Sequence, residues 1–141
     1  WQMALSMKIF GVNEFAMRLP SAIMGSLMIL MVYRICILLT QNVTTSLIAS
    51  LLMCFSNYQL ELISGRLGMD HNDVAFGFYV LASIWAYSEY LIKPTKKWAI
   101  LIGLFVGMAI LNKWLTGLLV FAPWFIKMLY DYLKSGNKKQ T

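Results

Sequence analysis

Three long apolar runs, each interrupted by a single charged side chain, set the pattern of the first two thirds of the chain. An α-helix rises about 1.5 Å per residue, so about 20 residues span a hydrocarbon core of ~30 Å. Each run has roughly that length. The pattern therefore predicts three transmembrane helices, at residues 19–39, 44–62 and 74–92.

A fourth apolar stretch is interrupted by Asn112 and Lys113, which separate residues 98–111 from residues 115–130. As one straight helix, the whole stretch would extend roughly 50 Å, well beyond the membrane. Two short spans that turn near "NKWLTG" fit the membrane better, with the polar backbone of the turn buried in protein or hydrated. The prediction is thus five transmembrane crossings.

The first twenty residues precede these spans. In "WQMALSMKIF" apolar side chains recur every fourth residue, with Lys8 beside them: Trp1, Leu5 and Ile9. This spacing is typical of an amphipathic helix that lies in the membrane interface. Gly11 is expected to end that helix, and "NEFAMRLP" to form a second short helical piece that Pro20 separates from the first span.

The composition agrees with a membrane protein. The chain is 60% hydrophobic and only 13% charged, and its mean hydropathy of +0.67 lies far above the globular average. The predicted fold class is all-α: a polytopic membrane helix bundle of about five transmembrane helices preceded by an interfacial amphipathic helix. The expected divisions are outer-face interfacial helices at 1–20, a transmembrane region at 21–133 and a basic cytoplasmic tail or loop at 134–141.

The distribution of lysine and arginine predicts the orientation, because short cytoplasmic loops are enriched in these residues. With five crossings and the N-terminus outside, the basic residues divide eight to four in favour of the inner side. The inner set is Arg34, Lys93, Lys96, Lys97, Lys127, Lys134, Lys138 and Lys139, and the outer set is Lys8, Arg18, Arg66 and Lys113. The net charge of +6 thus reflects topology and a tail that lies against anionic lipid. The sequence outside the spans has no patch of basic and aromatic residues of the kind that would indicate nucleic-acid binding.

The chain opens on a tryptophan and lacks the basic start and small-residue cleavage site of a signal peptide. We therefore expect it to be a piece of a longer protein, with one earlier span before Trp1.

The segment "GRLGMDHND", residues 65–73, has two readings. Asp70 as N-cap and Asp73 at the third helical position resemble a capping box at the positive end of a helix dipole. Alternatively, Arg66, Asp70, His71, Asn72 and Asp73 converge where two spans emerge at the outer face, as ionisable groups do at functional sites. Capping needs one or two polar side chains, so their number favours the functional site.

Three more residues lie on the outer side. Glu14 and Arg18 are four residues apart and form either a helix-surface pair or a part of the site. Lys113 lies between two apolar half-spans, so it has to reach the interface or meet an anion. Near the outer leaflet the natural anion is a lipid phosphate.

Three segments that contain these residues resemble a known protein family. In order and spacing, "FGVNEFAMRLPSAIMG", "GRLGMDHND" and "GLFVGMAILNKWLTGLLV" resemble the membrane glycosyltransferases of the GT-C type. The resemblance points to the protein mannosyltransferase-like branch, which also contains bacterial aminoarabinose transferases. It implies an enzyme that moves a hexose or pentose from a polyprenyl-phosphate donor to a protein, lipid or glycan acceptor. The resemblance implies an active site at the outer membrane face. The compact loops favour a bacterial inner membrane over a eukaryotic membrane.

The resemblance also implies roles for single residues. Asp70 would support the acid–base chemistry or orient the acceptor. Arg66 and Lys113 match basic positions that would hold the donor phosphate, although this chain reads "NK" where "TK" is usual. The main catalytic aspartate of such enzymes lies in a first outer loop, which would precede Trp1. This piece alone is therefore expected to be inactive.

Further candidates complete the predicted site. His71 and Asp73, which are not general features of the family, are candidate substrate-binding residues together with Glu14 and Arg18. Asp70, His71 and Asp73 could also ligate a divalent metal, which competes with plain helix capping. No other cofactor is predicted.

Two other functions remain open at this point. In an ion- or proton-coupled transporter, Glu61, Asp70, His71 and Asp73 would form a relay. Transporter sites, however, favour the midplane and interrupted helices rather than an outer boundary. In a noncatalytic membrane scaffold, the polar cluster would only cap a helix.

Overall fold

Helices make up the regular structure of the chain. The computed structural model describes residues 2–64, 71–121, 125–126 and 129–130, except for the side chains of Leu62, His71, Leu115, Leu119 and Val120. The elements are α1 (Gln2–Phe10), α2 (Glu14–Thr40), α3 (Val43–Cys54), α4 (Asn57–Ser64), α5 (His71–Ile92), α6 (Lys96–Lys113) and a 3₁₀ helix (Trp114–Phe121). The predicted all-α fold is confirmed for the described residues.

A capped turn joins α1 to α2. The side-chain oxygen of Asn13 accepts a hydrogen bond from the Ala16 N–H at 2.7 Å, which satisfies one of the free amides at the start of α2. Its side-chain amide donates to the Phe10 carbonyl at 3.0 Å. Gly11 has a φ of +82°, a left-handed conformation that glycine adopts without strain. The predicted end of α1 at Gly11 is confirmed.

Helix α2 continues through Pro20, so the prediction that Pro20 separates a short piece from the first span is wrong. Proline removes the backbone hydrogen bond to the carbonyl four residues earlier. One such loss costs less than ending a helix among apolar neighbours, and membrane helices tolerate proline where nearby groups satisfy the freed carbonyl. With 27 residues, α2 is the described helix that is long and apolar enough to cross a membrane by length and composition.

The predicted second span, 44–62, is wrong as a single helix because Phe55 and Ser56 separate α3 from α4. The Phe55 N–H still bonds to the Leu51 carbonyl at 2.9 Å, and then Ser56, Asn57 and Gln59 bring polar side chains into the apolar run. Helix α3 is apolar but has only 12 residues. The count of five crossings therefore stays a prediction.

Helix α5 lies at the centre of the bundle, where it packs against α2 and α6. Trp85 near its end meets Trp98 near the start of α6, with ring centroids 5.4 Å apart, so α5 and α6 are antiparallel. Arg34 and Glu89, both near the ends of their helices, pair across α2 and α5, so these two are parallel. One end of the bundle, called the site end below, therefore collects the starts of α2 and α5 and the end of α6.

The end of α6 confirms the predicted break near Lys113. The helix stops at Lys113, and Trp114 has a φ of 48°, so the backbone leaves the α6 direction. The 3₁₀ helix follows instead of a short α-helical span. Beyond Phe121, the predicted last span, 115–130, is described only at residues 125–126 and 129–130.

Candidate functional site

The segment predicted to carry the site is described only at its C-terminal end. Arg66 and Asp70 lie outside the described residues. Helix α5 begins at His71, whose side chain is not described, and Asp73 is its third residue. Residues 71–92 are helical and include the predicted third span, 74–92, whereas the helix start and the capping contact at Asp70 stay predictions.

An ion pair joins two of the predicted site residues. The ammonium group of Lys113, at the end of α6, contacts a carboxylate oxygen of Asp73 in the first turn of α5. The same ammonium group lies 5.7 Å from the ring centroid of Phe76, within the range of a cation–π contact. The side chains are 31% exposed for Asp73 and 42% for Lys113. The pair is thus partly shielded yet still within reach of a ligand.

A hydrogen bond beside the ion pair fixes the same two helix ends. The side-chain amide of Asn112 donates to the backbone carbonyl of Asn72 at 3.2 Å. Asn72 directly precedes Asp73, and Asn112 directly precedes Lys113. The hydrogen bond and the ion pair therefore join the same ends of α5 and α6.

The second predicted pair, Glu14 and Arg18, lies on the surface of the first turn of α2. Its closest oxygen and nitrogen are 4.0 Å apart, and both side chains are more than half exposed. Such pairs contribute about 0.2–0.5 kcal/mol to a helix. Their geometry is that of a helix-surface pair, and a substrate contact stays a prediction.

A cavity of about 790 Å³ opens at the site end between α1, α2, α5 and α6. Its described lining contains no charged side chain; the polar members are Gln2, Ser21, Asn72, Tyr79 and Asn112. The Gln2 amide donates to the Tyr79 hydroxyl, which ties α1 to α5 at the cavity. Asp73 and Lys113 do not line the cavity but directly follow two residues that do.

A metal site receives no support from the part of the chain that the structure describes. Within that part, no three side chains of His, Cys, Asp or Glu come together. The predicted ligand set includes Asp70 and the His71 side chain, which lie outside the description. The divalent metal therefore stays a prediction.

The family model for dolichyl-phosphate-mannose-protein mannosyltransferases matches residues 1–139. The chain belongs to this family. The predicted resemblance to the GT-C enzymes is confirmed at this level, across almost the entire chain.

Individual curated proteins are also similar to this chain. Two proteins named undecaprenyl phosphate-α-4-amino-4-deoxy-L-arabinose arabinosyl transferase, from Pseudomonas aeruginosa strains UCBPP-PA14 and LESB58, are 32% and 31% identical to it over 135 residues. Each alignment covers 89% of this chain but 24% of the relative. The chain thus spans about a quarter of the length of the curated relatives it matches. No solved structure matches it significantly.

Sequence reasoning missed one charged contact of this mannosyltransferase-family chain. The Arg34 Nε atom lies 2.6 Å from a carboxylate oxygen of Glu89. Glu89 lies 16 positions after Asp73, so this pair is roughly 24 Å from the site end along α5. The sequence did contain a signal for this pair: Arg34 and Glu89 are each the single charge in an apolar run. A charge among apolar neighbours needs a partner, so the two residues could have been expected to pair.

Proposed function

We propose that the chain forms part of a membrane glycosyltransferase that takes a sugar from a polyprenyl-phosphate donor. The observation that carries the proposal is the Asp73–Lys113 ion pair beside a cavity whose described lining carries no charge. Membership of the mannosyltransferase family and the donor in the relatives' printed name support it. The acceptor is proposed to be a hydroxyl of a lipid, protein or glycan at the outer face of a bacterial inner membrane.

The residue types suit the chemistry. Glycosyl transfer develops positive charge on the sugar ring and negative charge on the departing phosphate, so cations near the phosphate stabilise the transition state. Lys113 is proposed to hold that phosphate with Arg66. A charge-assisted hydrogen bond to phosphate is short and strong, so an arriving phosphate would compete with Asp73 for the lysine. Asp73 then keeps Lys113 in position while the donor is absent.

The remaining predicted residues have supporting parts in this proposal. Asp70 would orient the acceptor hydroxyl or support the acid–base chemistry. His71, Glu14 and Arg18 would contact substrate at the rim of the site end. Since a phosphate leaves without protonation, no general acid is needed.

The Asp73–Lys113 ion pair weakens the case for the transporter alternative. A relay through Glu61 and Asp73 requires both carboxylates to be available for protons. Asp73 is paired with Lys113, and Glu61 on α4 has no ion-pair partner among the residues that the structure describes. No observation favours this function over sugar transfer.

Two substitutions in the full-length enzyme separate phosphate binding from a structural ion pair. Lys113→Gln should raise the KM for the donor about tenfold or more, because a hydrogen bond to a charged group contributes about 1.5–3 kcal/mol. Asp73→Asn removes the carboxylate that competes with the donor phosphate for Lys113, so it should leave this KM unchanged or lower it. If the pair is only structural, both variants lose similar thermal stability and neither changes the KM. Initial rates against donor concentration, with an undecaprenyl-phosphate pentose, measure the difference.

Two further variants complete the experiment. Asp70→Asn should lower kcat about 10²-fold or more, the scale of a positioned acid–base or electrostatic group, at unchanged melting temperature because asparagine caps about as well as aspartate. Lys8→Gln, an exposed basic residue on α1, should change neither parameter. Normal turnover of Asp70→Asn would reduce this residue to a helix cap.

A further inference from the structure

We propose that Lys93, Lys96 and Lys97 form a surface that binds the head group of an anionic phospholipid, at the end of the bundle opposite to the site end. These residues, called the lysine surface below, lie between the end of α5 and the first turn of α6, and all three are exposed. The lysine surface begins roughly 30 Å from Asp73 along α5. The inference therefore does not depend on the proposed function.

The charge of the lysine surface is not balanced by the part of the chain that the structure describes. Between residues 71 and 121 the acidic residues are Asp73 and Glu89. Asp73 pairs with Lys113, and Glu89 pairs with Arg34 at 2.6 Å, so neither carboxylate neutralises the lysine surface. Like charges held close together repel one another, and an anionic partner relieves that repulsion. Charge complementarity therefore favours a negatively charged ligand.

Aromatic side chains place the lysine surface at the depth of lipid head groups. The Lys97 ammonium group lies 5.6 Å from the ring centroid of Trp98, and the Trp98 ring lies 5.4 Å from that of Trp85. Tryptophan is enriched where the hydrocarbon core of a bilayer meets the head groups. A lysine at this depth keeps its carbon stem against apolar surface and its ammonium group among the phosphates.

Exposed apolar side chains on both sides of the lysine surface favour a lipid over a soluble anion. Leu91 and Ile92 at the end of α5 are 45% and 54% exposed, and Ile100 in the second turn of α6 is 69% exposed. The acyl chains of a phospholipid would cover these side chains while the lysines hold its phosphate. A free phosphate ion would leave them uncovered, and burial of apolar surface is favourable.

The proposed partner is a phospholipid with net negative charge, such as phosphatidylglycerol. A zwitterionic lipid such as phosphatidylcholine balances its phosphate with its own choline group, so it offers the lysines less net attraction. Each lysine near an anionic membrane surface adds to the attraction. The eight-to-four distribution of basic residues predicts this end of the bundle at the inner leaflet, whose surface is negative.

Matched variants of the full-length protein test the lysine surface. A glutamine variant carries Lys93→Gln, Lys96→Gln and Lys97→Gln together and removes the charge, whereas an arginine variant with the same three positions changed to arginine keeps it. Lys8→Gln, at an exposed position on α1, is the control for loss of a lysine elsewhere. All four positions are exposed, so these changes need no repacking. Lys96→Gln alone serves as a second variant should the glutamine variant fold poorly.

Native mass spectrometry of the detergent-solubilised protein measures the binding of phosphatidylglycerol and phosphatidylcholine with the same acyl chains. Wild type, the arginine variant and Lys8→Gln should all bind phosphatidylglycerol in preference to phosphatidylcholine. The glutamine variant should lose about tenfold or more in apparent affinity for phosphatidylglycerol, with unchanged binding of phosphatidylcholine. Equal binding of phosphatidylglycerol by the glutamine variant and Lys8→Gln would overturn the inference. An arginine variant as weak as the glutamine variant would also overturn it, because charge would then not carry the binding.

Two further measurements separate the lipid from other ligands of the same charge. Inorganic phosphate should displace phosphatidylglycerol no more than chloride does at equal ionic strength, since neither ion covers the apolar side chains. Selective displacement by phosphate would assign the lysine surface to a soluble anion and overturn the lipid proposal. In phosphatidylcholine nanodiscs, the glutamine variant should keep the wild-type KM for the sugar donor. A raised donor KM would make the lysine surface part of the transfer site and contradict its assignment to a structural lipid.

Discussion

Among the described residues, two ion pairs join charged side chains of different helices. Asp73 meets Lys113, and Arg34 meets Glu89. The contrast is Glu14 and Arg18, which pair within one helix on an exposed surface. The interhelical pairs fix the relative positions of α2, α5 and α6, whereas the local pair fixes only a helix turn.

The Arg34–Glu89 pair should contribute measurably to stability. Glu89→Gln removes the counter-charge from a guanidinium group among apolar residues, so we expect a loss of about 1–3 kcal/mol. This is below the ~3–5 kcal/mol of a fully buried pair because the Arg34 side chain is 51% exposed. Thermal unfolding of the full-length protein in nanodiscs measures the loss.

Two controls accompany that variant. Glu14→Gln breaks the exposed pair and should cost no more than about 0.5 kcal/mol. The charge swap Arg34→Glu with Glu89→Arg should recover part of the stability lost in either single variant. A silent Glu89→Gln, or a swap no better than the single variants, would show that the two charges act independently.

At the scale of whole helices, close packing of α2 against α4 depends on one glycine. A Cβ atom at Gly25 would lie within 2.7 Å of the Ile63 Cγ1 atom. The short helix α4 can therefore approach α2 only where the side chain is absent, as is common between membrane helices. At Gly77 of α5, a Cβ would lie 3.5 Å from the Met28 Cε atom, an ordinary contact.

Alanine substitutions at these two glycines should have opposite effects. Gly25→Ala forces Ile63 or α4 to move, which should cost about 1–3 kcal/mol as overpacking does. Gly77→Ala should be neutral or stabilise by up to about 1 kcal/mol, since alanine is the better helix former. Melting temperatures of the two variants test the contact. Equal values would mean that α4 does not pack on α2 in the intact protein.

At the scale of the whole molecule, the helices arrange the polar groups at two ends. The site end holds the Asp73–Lys113 pair and the cavity. The opposite end holds the Arg34–Glu89 pair, Lys93 in the loop after α5, and Lys96 and Lys97 at the start of α6. The two charged pairs lie roughly 24 Å apart along α5, and this helix of 22 residues is itself roughly 33 Å long. That length matches a bilayer core of ~30 Å.

Single cysteines should therefore react from opposite sides of the membrane. In a background without Cys36 and Cys54, a cysteine at Asn72 should label from outside and one at Thr95 from inside. The eight-to-four distribution of basic residues motivates this orientation. A membrane-impermeant maleimide on intact cells and on inverted vesicles measures it.

A third position tests the same arrangement independently. Val12 lies between α1 and α2 and is 88% exposed, so Val12→Cys should label from the same side as Asn72→Cys. Labelling of Asn72→Cys and Thr95→Cys from one side would exclude the proposed topology.

The sequence by itself determined the local features of this protein. Apolar runs predicted its helical fold, Gly11 predicted the end of α1, and the polar pair Asn112 and Lys113 predicted the end of α6. These features depend on residues within one or two helical turns, so their signals lie close together in the chain. The same local reasoning failed at Pro20, which does not interrupt α2, and at Ser56, where the predicted second span is interrupted. At both positions the outcome depends on the packing of the entire helix and not only on the single residue.

Only the tertiary structure decided which side chains meet. Asp73 pairs with Lys113 and Arg34 with Glu89, and the cavity collects residues from four helices. These contacts join residues 40 and 55 positions apart. They depend on the direction, depth and rotation of each helix relative to its neighbours, which small residues such as Gly25 and Ala86 set by how closely they let helices approach. Periodicity along one helix carries no information on those quantities.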